Sequence, residues 1–358
     1  MKLVIFGLSI SSSWGNGHAT LWRGLCRALI RRGHEVHFFE HDVPYYALHR
    51  DLTEIPGGHL HLYSSWDEVR GKAADQLKDA DVAIVTSYCP DAIDATDLAL
   101  GSQAGVKCFY DLDTPITLNR LESGQPVEYL GSRGLRDFDL VLSYTGGEAL
   151  TQLRTRLGAR RVAPLYGSVD PDKHFPERPM DRFVSDLSYL GTYAEDRQAA
   201  LEELFIEPAR QLSDQRFLIA GSMYPQEFPW TRNIFFVQHL PPAEHPSFYS
   251  SSHLTLNVTR RAMADLGYCP SGRLFEAAAC GAPILSDWWE GLDQFFEPDS
   301  EILIARTTEQ AIDAIQRPAE ELTRMAVRAL ERTLDCHTAD LRAREFESVV
   351  ERARAVEV

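Results

Sequence analysis

The regular alternation of short apolar runs with longer amphipathic segments is the feature that most constrains the fold of this chain. In the first forty residues, an apolar run at 3–6 precedes a glycine-rich turn, and three leucines then share one face of a helix predicted at 19–32. Gly33 ends this helix, and a second strand begins near Val36. The segment is predicted to be a β-α-β unit, and strands that alternate with helices form parallel sheets.

The same pattern continues through both halves of the chain. We predict further strands at 82–85, 106–110, 140–143, 162–165, 187–190, 217–220, 234–237, 254–258, 284–286 and 302–304. A stretch with three prolines and little periodicity separates the two sets of strands. The predicted fold class is α/β, with Rossmann-like domains at 1–167 and 186–335, a linker at 168–185, and a helix at 336–358 that returns toward the first domain.

Composition restricts the compartment and the partners. The chain has 358 residues, which exceeds one ordinary α/β domain, and 44% of them are hydrophobic, which is enough for two cores. A formal charge of −16 argues against a nucleic-acid partner, because that affinity comes from Lys and Arg. The six cysteines lack metal-ligand spacing, as is typical of reduced thiols in a cytosolic enzyme. No apolar stretch is long enough to cross a bilayer, so we expect a cytoplasmic protein.

The loop before residues 274–281 has the properties of a phosphate-binding site. Ser271, Gly272 and Arg273 lead directly into a segment of strong helix propensity, and free N–H groups at a helix start attract a diphosphate. Gly272 allows close approach of the backbone, and Arg273 adds a forked, charged contact. Glu276, one turn further, is placed either to accept the hydroxyls of a ribose or merely to complement the helix dipole.

A second loop after a predicted strand carries similar residues. Gly191 and Thr192 follow the strand at 187–190, and Arg197 comes six positions after the glycine. This loop is predicted either to hold the other side of a diphosphate or to be an ordinary strand-to-helix loop with a solvated arginine. Because parallel strands bind ligands at their carboxyl ends, we expect the chemistry in loops of this kind.

The glycine-rich turn of the first half ends in a histidine. Gly15, Asn16 and Gly17 leave His18 at the start of a helix, where it is either a base for an acceptor hydroxyl or a structural residue.

Two acidic residues form a further candidate group. Asp111 and Asp113 resemble the Asp-x-Asp signature of metal-dependent sugar transferases that have a single Rossmann-like domain. The repeated domain and the phosphate loops of the second half favour a different class, so no metal is assigned.

With these residues identified, the sequence resembles a GT-B glycosyltransferase over nearly its whole length, and in particular the CgeB-like, spore-maturation-type group. Residues 267–283 are similar to the donor-site segment of GT-B enzymes, in which the glutamate at the Glu276 position binds ribose. Arg197 lies where related enzymes place a diphosphate-binding lysine, and 236–241, with His239, is similar to the segment that borders the nucleobase. Residues 11–18 look like the acceptor-side glycine loop. Tyr268 departs from the pattern, because many retaining enzymes carry a glutamate there.

The resemblance implies two parallel sheets that face an interdomain cleft. It also implies metal-independent transfer of a sugar from a nucleoside-diphosphate donor, with a UDP-sugar favoured and no cofactor required. The acceptor is unidentified and is a saccharide, a protein or a small molecule. In an inverting reaction His18 or Asp113 would take the acceptor proton, whereas in a retaining one a donor phosphate oxygen would do so.

Three other functions compete with this one. A nucleotide-sugar 2-epimerase shares the architecture and the donor loops but needs no separate acceptor. An NAD-dependent oxidoreductase is suggested by Glu40, which ends the second strand, although Thr20 replaces the third glycine of the dinucleotide-binding pattern. A non-catalytic interaction protein is the third alternative, because a fold alone does not define a function.

Overall fold

The structure is a computed structural model, and it describes residues 1–355. The chain divides into two compact units. The first unit comprises residues 1–166 together with the chain from Ala339 onward, and the second comprises Gly167–Thr338. No helix within residues 1–355 has the length and apolar character needed to cross a membrane.

Each unit is built on one parallel sheet. The strands are β1 (Lys2–Gly7), β2 (Glu35–His41), β3 (His59–Tyr63), β4 (Val82–Thr86), β5 (Val106–Asp111), β6 (Leu140–Ser143), β7 (Val162–Pro164), β8 (Ser185–Leu190), β9 (Phe217–Gly221), β10 (Ile234–Gln238), β11 (Ser252–Asn257), β12 (Ile284–Ser286) and β13 (Leu303–Ile304). Within the described residues, the first sheet has the order β3-β2-β1-β4-β5-β6-β7 and the second the order β10-β9-β8-β11-β12-β13. In both sheets the order reverses beside the first strand of the unit, which is where open α/β sheets bind ligands.

Helices connect most of the successive strands. They are α1 (Gly17–Arg31), α2 (Pro44–Ala47), α3 (Trp66–Leu77), α4 (Ala92–Leu100), α5 (Thr114–Glu122), α6 (Glu148–Leu157), α7 (Gln198–Leu201), α8 (Glu207–Gln211), α9 (His245–Ser250), α10 (Arg261–Leu266), α11 (Gly272–Ala279), α12 (Thr308–Ile315), α13 (Ala319–Cys336) and α14 (Ala339–Arg354). A π-helical turn, Glu202–Ile206, joins α7 to α8, and 3-10 turns lie at Glu195–Arg197, Pro242–Glu244 and Leu292–Gln294.

The core of the first unit lies on both faces of its sheet, because alternate residues of a strand point to opposite sides. Leu3 and Ile5 of β1 pack on one face with Trp22 of α1 and Phe346 of α14. On that face, α14 also packs along α1, and Glu347 accepts hydrogen bonds from the Arg32 guanidinium. The chain therefore returns to its first unit through α14, as predicted.

In the second unit, strand residues such as Leu187, Phe217 and Leu254 pack against Phe205 and Leu322 of the surrounding helical segments. The two parallel sheets confirm the predicted α/β class with Rossmann-like units, and most predicted strands coincide with observed ones.

Strand β3 was not predicted. In its sequence two histidines alternate with two leucines, and it lies at the edge of the sheet with only Tyr63 fully buried, so it lacks an apolar run. The helix predicted at 336–358 begins at Ala339, because a break at His337 and Thr338 separates α14 from α13, and positions 356–358 lie outside the described residues.

Candidate functional site

Two glycines bring the carboxyl ends of β8 and β9 unusually close in the second unit. Gly221 has φ +155°, and a Cβ at this position would lie 2.0 Å from the carbonyl oxygen of Gly191. A Cβ on Gly191 would lie 2.8 Å from the Tyr189 hydroxyl and 2.9 Å from Nη2 of Arg273. A side chain at either position would displace its neighbours, so glycine keeps the loop backbone in place.

The side chain of Arg273 extends across this strand edge from the first turn of α11. Ser271 caps that helix, with its Oγ accepting from the Arg273 backbone N–H at 3.3 Å. The guanidinium donates through Nε to the carbonyl of Leu190 and through Nη1 to Oδ1 of Asn257 at 2.9 Å. Its Cζ lies 5.0 Å from the centre of the Tyr189 ring. Among residues 1–355, no carboxylate forms an ion pair with Arg273, so its charge is available to an anionic ligand.

Arg197 lies in the loop that follows β8, where it also has unused hydrogen-bonding capacity. Its Nη1 donates to the carbonyl of Thr192 at 3.0 Å, whereas its buried Nε has no partner in the part of the chain that the structure describes. The Thr192 hydroxyl lies 3.4 Å from that of Ser222, and Tyr224 donates to the Gly191 carbonyl at 3.1 Å. These contacts fix the loop and leave a buried N–H, which is costly unless a ligand or water accepts from it.

His239 follows strand β10 and has φ +50°, which is uncommon for a residue with a side chain. Its backbone N–H donates to the Gly221 carbonyl at 2.8 Å. Through this hydrogen bond, the half-buried residue joins the strand edge that Gly221 and Gly191 form.

Glu276 lies one turn into α11 beside two histidines. Its Oε2 is 3.8 Å from Nδ1 of His245, and both side chains are 12% exposed. His174 belongs to the same cluster, in which the ligand atoms of all three residues lie within 4.8 Å of one another. Burial lowers the pKa of His174 to about 4 and that of His245 to about 4, so both imidazoles are neutral at pH 7.

The loop after β1 in the first unit is organised by a buried carboxylate. Glu40 accepts from the Ser9 hydroxyl at 2.8 Å, from the backbone N–H groups of Ile10 and Ser11 at 2.8 and 3.0 Å, and from the Ser11 hydroxyl at 2.6 Å. Both carboxylate oxygens are thus occupied by the protein itself. This geometry argues against an NAD-dependent oxidoreductase, in which Glu40 would bind the hydroxyls of a ribose.

Asn16 completes this loop as the N-cap of α1. Its Oδ1 accepts from the His18 N–H at 3.1 Å, and its Nδ2 donates to the carbonyls of Ser9 and Ser12, each at 3.1 Å. The side chain is buried, whereas Gly15 and Gly17 on either side are exposed. Asn16 therefore shapes the turn, and the glycines form its accessible surface.

His18 and Asp113 form a pair at the carboxyl edge of the first sheet. Nε2 of His18 lies 3.5 Å from Oδ2 of Asp113, and both side chains are 19% exposed. The Tyr88 ring lies 5.7 Å from the imidazole, between ring centres. Beneath the pair, Asp111 accepts from the Asp113 N–H at 3.1 Å, and burial raises the pKa of Asp111 to about 6. The structure thus joins two residues that the sequence singled out separately.

Several residues of these sites were missed in the sequence. Asn257 and Tyr189 contact Arg273, Gly221 abuts Gly191, and His245 faces Glu276. Asn257 had a usable signal, because it is a polar residue at the carboxyl end of a predicted strand. His245 had none, because 31 positions separate it from Glu276.

Three comparisons with known proteins bear on these sites. Residues 197–348 match a protein family described as "Glycosyl transferase-like". The matched segment includes α11 with Arg273 and Glu276. No curated protein sequence matches the chain.

Solved structures resemble the chain over almost its full length. Sucrose-phosphate synthase from Thermosynechococcus elongatus is 13% identical, with 99% of this chain and 100% of that chain covered, at a TM-score of 0.71. The Anabaena protein HepE in complex with UDP-glucose is 11% identical, with 98% and 100% covered, at a TM-score of 0.65. An alpha-glucosyltransferase in complex with UDP and a 13-mer DNA is 14% identical, with 98% and 99% covered, at a TM-score of 0.69. Together with the two parallel sheets, these likenesses show that the chain has the GT-B fold.

Proposed function

We propose that this protein is a glycosyltransferase that moves a sugar from a nucleoside-diphosphate sugar to an acceptor hydroxyl. The observation that carries the proposal is the guanidinium of Arg273, which lies at the start of α11 and at the carboxyl ends of β8 and β11 without a carboxylate partner among the described residues. A diphosphate supplies the missing negative charge, and a helix start is a favourable place to bind it.

The neighbouring residues suit the rest of such a donor. Gly272 begins α11 and is proposed to let the helix start approach the diphosphate, and Gly191 keeps the neighbouring loop close to Arg273. Arg197 is proposed to contribute its buried Nε–H to a phosphate oxygen. Glu276 is the proposed acceptor for the ribose hydroxyls, and the main chain near His239 is the proposed border of the nucleobase. A UDP-sugar is the favoured donor, because HepE was solved with UDP-glucose and the alpha-glucosyltransferase with UDP.

Glycosyl transfer breaks the bond between the anomeric carbon and the diphosphate, and the transition state resembles an oxocarbenium ion. Negative charge grows on the departing diphosphate as this bond lengthens. Arg273 and Arg197 are placed to stabilise that charge, which is the task a metal ion performs in other transferases. We therefore propose metal-independent transfer, with activity retained in the presence of EDTA.

The His18–Asp113 pair is the proposed acceptor-side machinery. A base is needed to take the acceptor proton in an inverting reaction, and a half-buried imidazole beside a carboxylate fulfils this role. In a retaining reaction the same pair would orient the hydroxyl. The formal charge of −16 disfavours a DNA acceptor, although one structural neighbour was solved with DNA. Membership of the CgeB-like group and a cytoplasmic location are part of the same proposal.

Nucleotide binding is the first test. UDP, GDP, dTDP, ADP and NAD are titrated calorimetrically into wild-type protein, Arg273→Ala and Glu276→Ala, and thermal unfolding verifies that each variant folds. We expect one nucleoside diphosphate, UDP foremost, to bind wild type and to bind both variants more weakly. Binding of NAD alone, or of no nucleotide, would contradict the proposal.

The reaction itself separates transfer from epimerisation. UDP-glucose is incubated with the protein and a panel of saccharides, peptides and small alcohols in the presence of EDTA, and UDP release and sugar products are quantified. Acceptor-dependent release of UDP supports a transferase. Conversion of the donor sugar to its epimer without any acceptor would instead identify a 2-epimerase.

A further inference from the structure

The cluster of His174, His245 and Glu276 contains buried polar atoms that lack partners. Both ring nitrogens of His174 are buried without a hydrogen bond in the described chain, and the residue is 3% exposed. Nδ1 of His245 is likewise buried and unpartnered. Unsatisfied buried polar atoms are rare in native proteins, so each implies a missing ligand, water or ion.

The orientation of the His245 ring indicates that the group between His245 and Glu276 is a cation or a hydrogen-bond donor. Its Nε2 lies 3.3 Å from the Leu240 carbonyl, which can only accept a hydrogen bond, so Nε2 carries the proton. Nδ1 of the neutral ring is then a lone pair, and it faces Oε2 of Glu276 at 3.8 Å. Two acceptors that face each other at this distance repel unless a cation or a donor lies between them.

We propose that His174, His245 and Glu276 form a binding site for a divalent transition-metal ion of the zinc class. Two imidazole nitrogens and one carboxylate oxygen are ligands that zinc prefers, and all three atoms lie within 4.8 Å of one another. Bonds of about 2.0–2.2 Å around zinc imply ligand separations of roughly 3.4 Å, so the 3.8 Å between Nδ1 and Oε2 requires little adjustment.

A second histidine cluster in the first unit lacks these properties. Glu35, His37 and His59 also lie close together, but Nδ1 of His37 is 2.9 Å from Nε2 of His61 and its Nε2 is 2.7 Å from Oε1 of Glu35. The rings of His37 and His59 are stacked with centres 4.4 Å apart, so their lone pairs do not converge on one point. This cluster is satisfied without an ion and serves as a control.

The proposed ion would act as an inhibitor. Glu276 is the proposed ligand of the donor ribose, and its carboxylate cannot fully serve both the ion and the ribose. Zinc and the nucleotide are therefore expected to compete. This consequence rests on the proposed function, whereas the metal site itself does not.

Cobalt and zinc titrations test the site. Untagged, full-length protein is stripped with EDTA, Co²⁺ binding is followed by visible d–d absorption, and Zn²⁺ binding by calorimetry. We expect one ion per chain, and we expect His245→Gln and Glu276→Gln each to weaken binding roughly tenfold or more, since each removes one of three ligands. His59→Gln, in the control cluster, should leave the affinity unchanged. Absence of saturable one-to-one binding to wild type would overturn the site, as would an equal loss in His59→Gln.

A competition experiment separates this inference from the proposed function. UDP is titrated into protein with and without one equivalent of Zn²⁺, and the apparent UDP affinity is expected to fall severalfold when zinc is present. If zinc binds through His245 but leaves UDP binding unchanged, the inhibitory role is overturned while the metal site stands. If no nucleotide binds under either condition, the proposed function fails. The metal site is then still tested by the titrations of wild type and the three variants.

Discussion

Arg23 and Arg273 perform the same structural task in the two units, but their charges have different surroundings. Nε of Arg23 donates to the Ile10 carbonyl at 2.9 Å, just beyond β1, and Nε of Arg273 donates to the carbonyl of Leu190, the last residue of β8. The remaining nitrogens of Arg23 bind both oxygens of Asp51 at 3.1 and 2.6 Å. Those of Arg273 find only a neutral amide within residues 1–355.

The difference shows how a helix arginine that holds the carbonyl of a strand-end residue serves either structure or ligand binding. In the first unit, the charged groups around the loop after β1 find partners within the protein: Arg23 pairs with Asp51, and Glu40 accepts four hydrogen bonds. We expect this loop to hold His18 in a fixed position. In the second unit, no carboxylate among residues 1–355 forms a hydrogen bond or an ion pair with Arg273. The first loop is therefore predicted to contribute to the chemical step, and the second to donor binding.

The largest expected effect concerns the chemical step. His18→Gln is expected to lower kcat for sugar transfer by about 100- to 10,000-fold, the usual contribution of a positioned acid or base. The Kd for UDP, measured calorimetrically, should stay the same, because His18 is assigned to the acceptor side. Asp113→Asn is the companion variant, and it should also lower kcat. Unchanged kcat together with a weakened UDP complex would reverse the assignment of the two loops.

The next prediction compares the two arginines directly. Arg273→Ala is expected to weaken UDP binding by about 10- to 100-fold, because a charged hydrogen bond to phosphate contributes about 1.5–3 kcal/mol. Arg23→Ala should lower the free energy of unfolding but leave the calorimetric Kd for UDP unchanged. Arg273→Lys keeps the positive charge but lacks the forked guanidinium, so its affinity for UDP should lie between those of wild type and Arg273→Ala. Equal loss of affinity in Arg23→Ala and Arg273→Ala would remove the distinction between the loops.

The sequence predicted the fold better than the sites, for a physical reason. Strand–helix alternation is a local signal, so the β-α-β pattern at 3–39 could be read directly, whereas the edge strand β3 has no apolar run. Ser271, Gly272, Arg273 and Glu276 lie close together in the chain, and their placement at the start of a helix was predictable.

Contacts between distant segments could not be predicted in the same way. The hydrogen bonds to Glu40 arise from residues about 30 positions earlier, and the close approach of Gly221 to Gly191 joins two strands whose pairing no local pattern specifies. The pairing of His18 with Asp113 likewise depends on strand order.

Two buried carboxyl groups of the first unit, Asp111 and Glu40, extend the comparison to stability. Asp111 has a buried oxygen without a partner in the described chain, and burial raises its pKa from 3.8 to about 6. The folded state thus binds this proton more tightly than the unfolded state, so stability decreases as pH rises from about 4 to about 6. Relative to Asp111→Asn, wild type should lose about 3 kcal/mol of unfolding free energy across this window.

Glu40→Gln is the matched variant, because Glu40 is equally buried but accepts four hydrogen bonds. Its amide would place N–H groups against existing donors, and we expect a loss of about 2 kcal/mol at neutral pH. Urea unfolding at several pH values measures both variants. A stability difference between wild type and Asp111→Asn that does not vary with pH would refute the account of Asp111.

The smallest expected effect concerns an arginine whose partner comes from the far end of the chain. Arg32 donates to Glu347 of α14 at 2.7 and 2.5 Å, and this hydrogen bond is the main reason that the pKa of Glu347 falls from 4.5 to about 2. A lowered carboxyl pKa stabilises the fold above about pH 4.5, and the contribution is lost as pH falls toward 2. Because the pair is partly exposed and screened by salt, Glu347→Gln should cost only about 1 kcal/mol at neutral pH, as measured by urea unfolding. The cost should shrink further in high salt, and a loss that is independent of salt would show that Glu347 acts through packing of α14 on α1 rather than through its charge.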